Sequence, residues 1–127
     1  MPMVRNQGEP VHTRLNVVET IREALTPLGY PVERMAHNAI LYPEADAYFV
    51  IWLYSDISTL YASGRPLCEI TRGQVDLWCK DGPTFDELAY QAGKVLKKAG
   101  VSVAMGLEQQ DNDMYHLAID VEVQTDL

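Results

Sequence analysis

The chain has 127 residues, a formal net charge of -8, 47% hydrophobic and 22% charged residues, which is enough for one domain that buries roughly two thirds of its unfolded surface. Those fractions exclude an intrinsically disordered chain. Ten basic residues scattered through an acidic sequence also argue against a grip on nucleic acid, which needs clustered Lys and Arg.

The N-terminal stretch "MPMVRNQGEPVHTR" lacks the apolar run of a signal peptide, and nowhere do eighteen apolar residues follow one another, so a soluble intracellular protein is expected. Residues 1–14 read as a loose arm and 15–127 as a single domain. In "NVVETIREALTPLGYPV", Asn16 and Glu19 imitate a capping box. Val18, Ile21, Leu25 and Leu28 recur at helical spacing, and Pro27 and Gly29 set the end. "VERMAHNAILYP" reads as an extended segment and "EADA" as a turn. "AYFVIWLYSD" is apolar on both parities, so as a strand it must be covered on both faces.

"ISTLYASGRP" reads as a long polar link into "EITRGQVDLWCKDG". There Ile70 sits on one parity and Val75, Leu77 and Cys79 on the other, and a bulge at Gly73 would bring both sets to one buried face. "TFDELAYQAGKVLKKAG" is a helix capped by Thr84 with Glu87 closing the box. Leu88, Ala92, Val95, Leu96 and Ala99 form its stripe, and Gly100 is the left-handed stop. "VSVAMGLE" and "MYHLAIDVEV" alternate as strands around the turn "QQDND". Tyr115, Leu117, Ile119, Val121 and Val123 fall on one face of the second strand, and His116, Asp120, Glu122 and Gln124 on the other. The expected fold is α+β: a mostly antiparallel sheet of four to five strands with two helices packed on one face, in the order helix, three strands, helix, two strands.

Little in the sequence recommends catalysis. Cys68 and Cys79, both expected on inward parity, match no nucleophile signature and read as inert core thiols. His12, His37 and His116 have no metal-ligand spacing. The acidic stretch Glu108 to Asp113 lacks the glycine and spaced oxygens of a calcium loop. No phosphate-binding glycine loop or hydrolase motif occurs. The expectation is a protein without catalytic residues, cofactor or metal.

What stands out is aromatic. If Phe49, Ile51 and Leu53 lie under the helices, the opposite parity exposes Tyr48, Val50, Trp52 and Tyr54, with Trp78 adding another ring. Four such rings amount to roughly 600 to 1,000 Å², near one partner's share of a standard interface. On the residues alone, this face could be covered by the chain's own extended segment and link or by a partner. The candidate interface residues are Tyr48, Trp52, Tyr54, Tyr61, Arg65 and Trp78.

The succession of "LGYPV", "YFVIWLYSD", "EITRGQVDLWCKDG", "TFDELAYQAGKVLKKAG" and "DNDMYHLAIDVEV" resembles the small tail-terminator or tail-completion proteins of long-tailed phages and prophages over about residues 15–124. The resemblance lies in element order and texture rather than in a motif. It implies an α+β subunit without cofactor or reaction that assembles as a ring, typically a hexamer, on the tail-tube end. Such a ring stops tube polymerisation and presents a surface to the head connector. The partners it implies are the chain itself, the tail-tube protein and the connector, in the virion and, during assembly, the host cytoplasm. No membrane or sequence-specific DNA binding is expected, and an acidic ring would let DNA pass without sticking. The alternatives are another neck or head-completion component, or a small intracellular ligand-binding module or enzyme.

Overall fold

A computed structural model describes residues 13–34, 45–62, 64–111 and 113–126. In chain order they form α1 (Thr13–Leu25), a 3-10 turn (Thr26–Leu28), β1 (Val32–Arg34), β2 (Ala47–Ala62), β3 (Arg65–Cys79), α2 (Gly82–Lys98), β4 (Ser102–Asp111) and β5 (Met114–Asp126). The five strands make one sheet in the order β1-β2-β3-β5-β4. β1 runs parallel to β2 and every other pair is antiparallel, so the expected α+β architecture is the one adopted.

Both helices lie on the same face. Val17, Val18, Ile21 and Leu25 of α1 and Phe85, Leu88, Ala92 and Leu96 of α2 share one core with Phe49, Ile51, Val75, Leu77, Leu117 and Ile119. Period-2 strand residues thus meet period-3.6 helix residues across a single apolar layer. The split of β5 into an inner set from Tyr115 to Val123 and an outer set headed by His116 holds throughout: Leu117, Ile119 and Val121 are buried, and Tyr115 and Val123 pack against them.

The helix ends differ in detail from the sequence reading. α1 begins at Thr13, so Asn16 lies inside the helix, where its carbonyl accepts the Thr20 hydroxyl at 2.9 Å. Gly29, at φ 92°, ends the following turn as expected. α2 is capped by Asp81, not Thr84: the Asp81 carboxylate accepts from Thr84 N–H at 2.8 Å. Aspartate is among the best N-caps, and proline is tolerated in the first turn because its missing N–H has no helical partner there. The stop is a Schellman motif on Gly100, with Val101 N–H bonded to Leu96 C=O and Gly100 N–H to Lys97 C=O, both at 3.0 Å. Ala99, expected in the stripe, is the exposed cap residue, and Phe85 is buried in its stead.

The stretch read as a polar link is instead strand. β2 and β3 pair from Ala47 with Cys79 to Ala62 with Arg65, so "ISTLYA" continues the ladder and the chain reverses at Gly64, φ 75°. β-branched Ile57 and Thr59 favour extended backbone. "QQDND" likewise contracts: Gln109, Gln110 and Asp111 belong to β4, and Asp113 adopts φ 63° at the reversal.

The bulge falls opposite Gly73 rather than at it. Leu53 pairs with Gly73 and Ser55 with Arg72, leaving Tyr54 as the extra residue of β2, whereas β3 runs against β5 in unbroken register from Cys68 to Cys79. Ile70 therefore stays on the face of Trp78, and so does Cys68; neither joins Val75, Leu77 and Cys79. A Cβ at Gly73 would collide with the Trp52 carbonyl oxygen and the Leu53 side chain, so the glycine permits the close crossing that the bulge makes. The proposed arm up to residue 12, His12, His37 and the extended segment beyond Arg34 lie outside the described residues.

Candidate functional site

The helix-free face of the sheet carries the most concentrated side-chain chemistry. Register places Tyr48 of β2 directly opposite Trp78 of β3, and Trp78 directly opposite His116 of β5. The Trp78 indole lies flat on the His116 imidazole, centroids 4.1 Å apart and planes 11° apart. On its other side Tyr48 stacks at 6.4 Å. Two residues along β3, the Asp76 carboxylate accepts from Gln74 Nε2 at 2.6 Å and lies 2.9 Å from His116 Nε2. A carboxylate can only accept here, so Nε2 carries the imidazole proton. Asp76 is 7% exposed, and a carboxylate that deep is tolerable only with such partners.

This arrangement corrects the expected open aromatic face. Tyr48 is 2% exposed, with the Trp78 ring stacked beside it, and Val50 is also buried. Burial pushes the Tyr48 hydroxyl pKa up. Trp52 and Trp78 are half-buried. Of the candidate interface residues, Tyr54, at 59%, and Arg65 are fully exposed. The Tyr61 side chain lies outside the described residues, while its backbone pairs with Pro66.

The bulge turns Tyr54 out over a shallow groove of about 360 Å³ whose walls include Arg72, Ser102, Asp120 and Glu122. Arg72 donates to Glu122 Oε1 at 2.9 Å across the β3–β5 ladder. With both side chains nearly half exposed, such a pair contributes at most about 1 kcal/mol. Val103, Ala104 and Val121 complete its lining, so the wall is more apolar than polar, and its arginine is already engaged.

Both cysteines are free and buried, on opposite faces of β3. Burial raises the Cys79 thiol pKa above its ordinary value, and the thiol donates weakly to the Asp81 carbonyl at 3.4 Å. Such a thiol stays protonated and unreactive at neutral pH. Among the described residues no three His, Cys, Asp or Glu side chains gather as metal ligands, and no helix is long and apolar enough to cross a membrane. His116 was legible as an outward residue, and Asp76 shares the parity of Trp78 on β3. Their meeting depends on β5 lying beside β3, a pairing with no signal in sequence order.

The two sheet borders are unlike. β1, three residues long, is one edge, with α1 over it: Arg22 Nη1 donates to Val32 C=O at 2.7 Å. β4 is the other edge, with α2 over it: the Met105 terminal methyl packs against Gly93, where an added Cβ would lie 2.8 Å from it. β4 is itself bulged between Met105 and Glu108, and Leu107 there is 65% exposed.

No protein-family model matches this sequence, and no curated protein is detectably similar to it.

Proposed function

We propose that this protein is a tail terminator of a long-tailed phage or prophage, a subunit that closes into a ring on the tail-tube end, stops its polymerisation and forms the joining surface for the head connector. It works by shape and association, without catalysis or cofactor. The observation that carries this reading is the β2–β3 hairpin. Among the described side chains, Leu53 is the last of β2 in the helix-covered core; nine further residues run to Ala62, about 30 Å at 3.3 Å per residue, while β5 accompanies β3 only as far as Cys68. Past Cys68 the ladder narrows, among the described residues, to the β2–β3 pair; such a two-stranded end gains little by itself, whereas an arm reaching a neighbour or a tube end has a use for it.

Element order and fold class support the same reading, since they are those the family resemblance implies. So do two unlike sheet edges, because a ring needs two different, mutually complementary flanks. The net charge of -8 suits a channel through which DNA slides, like charges repelling.

The test is to add the purified chain to polymerising tail-tube protein from the same genome and measure tube lengths by electron microscopy. Shortened tubes with extra density at one end support termination. Tubes of unchanged length with bare ends exclude it, and binding to the portal or connector instead would assign the chain to another neck position.

A further inference from the structure

The last turns of α2 and the exposed side of α1 carry opposite charge, while Asp86 and Glu87 nearer the start of α2 are also exposed. Three of the ten basic residues, Lys94, Lys97 and Lys98, lie in the last two turns of α2, above β4. All three are exposed, and among the described residues none has an ion-pair partner; Lys94 sits over the Tyr90 ring, 5.7 Å from its centroid. On α1, above β1, the fully exposed charges among the described side chains are Glu19 and Glu23. Arg22 is partly withdrawn, held by Val32 C=O and by Glu19 at 3.8 Å.

The sheet edges beneath match in length. β4 runs regularly only from Ser102 to Met105 before its bulge, four uncharged residues without the lysine or proline that guards a free edge. β1 is three residues. Tyr90, 63% exposed, stands one helical turn from Gly93 on the side of α2 that receives Met105, and adds an aromatic ring where a neighbour would sit.

We propose that copies of this chain dock head to tail by sheet extension, Ser102–Met105 of one copy adding to Val32–Arg34 of the next, while the α2 lysines face Glu19 and Glu23 of the adjoining α1. The inference rests on the ring reading and names its interface. Main-chain pairing supplies attachment, with the incoming β4 displacing the Arg22 guanidinium from the outward Val32 carbonyl. The unlike charges fix polarity, since β4 against β4 would set lysines against lysines. Docking one flank onto the other leaves a free copy of each, so the contact repeats until the ring closes.

The test uses two full-length variants, Lys97→Glu/Lys98→Glu and Glu19→Lys/Glu23→Lys, with folding checked by circular dichroism and mass by light scattering and native mass spectrometry. Each variant alone brings like charges together and is expected to be monomeric. Mixed one to one, they restore opposite charges at every contact and are expected to rebuild a ring of alternating subunits. If both variants alone keep the wild-type ring mass, docking lies elsewhere and this inference falls while the ring reading stands. If the mixture stays monomeric although wild type forms a ring, the pairing of these flanks is wrong. A wild-type chain that is monomeric at every concentration overturns the inference and removes the support of self-association from the ring reading.

Discussion

His116 and Asp76 meet on a diagonal of the β3–β5 ladder, Nε2 to Oδ1 at 2.9 Å, under the indole of Trp78. Truncating the carboxylate leaves both the imidazole and the Gln74 amide without their partner in a half-buried site. Asp76→Ala should therefore lower stability by about 1 to 3 kcal/mol, with Asp76→Asn milder because its carbonyl still accepts. Urea unfolding of the dilute protein measures both; an unchanged midpoint for Asp76→Ala would show that the network contributes nothing net.

Trp78 belongs to the subunit's own structure before it belongs to any interface. Two ring neighbours at about 0.5 to 1.5 kcal/mol each for aromatic stacking place Trp78→Ala below the roughly 2 to 5 kcal/mol expected for Leu88→Ala in the core. Thermal melts of the two variants, at a concentration where wild type is dissociated, should keep that order. A Trp78→Ala melt identical to wild type would return the ring to a role outside the subunit.

Two glycines should respond in opposite ways to alanine. At Gly73 the new Cβ meets backbone at the Trp52 carbonyl, which cannot yield without moving the ladder, so Gly73→Ala should cost about 1 to 3 kcal/mol. At Gly93 it meets only the Met105 methyl, the end of a flexible chain. Removing a mid-helix glycine recovers up to about 1 kcal/mol, so Gly93→Ala should be near neutral or stabilising. Denaturant midpoints of the pair decide it.

The helix cap gives a pH signature. Hydrogen bonds from the Thr84 side chain and backbone hold the Asp81 carboxyl below its ordinary 3.8. Between the folded and unfolded values the unfolded chain binds the extra proton, so the cap's contribution is full above about the ordinary value and is lost as pH falls through the depressed one. Asp81→Ala should thus be less stable than wild type at neutral pH, with the gap closing in strong acid, while Asp81→Asn keeps the cap. A gap constant down to the acid limit would mean that the charged form has no special role.

Much of the fold was legible because the signals were local. The α2 stripe, the Gly100 stop and the inner and outer sets of β5 each sit within one element, and its period or chemistry displays them. What was hidden depends on strand neighbours. Parity alone marked Tyr48 and Trp78 as outward, but only the adjacency of β2, β3 and β5 sets their rings side by side and brings His116 onto Asp76. The bulge was sensed through Gly73, yet placed on the wrong strand, because a glycine serves equally well as the bulged residue or as the space a bulge crosses. The Ser- and Thr-rich stretch before Gly64 resembled a loop because its composition is polar, whereas unbroken pairing with β3 makes it strand.

The central claim is that this chain closes on itself through two unlike flanks. Its most direct test is the native mass of the intact protein by light scattering and native mass spectrometry over a wide concentration range, with and without magnesium. The account predicts one closed species, six subunits, assembling cooperatively. A two-fold dimer would contradict it, since like flanks would then be joined, and so would a strict monomer at every concentration.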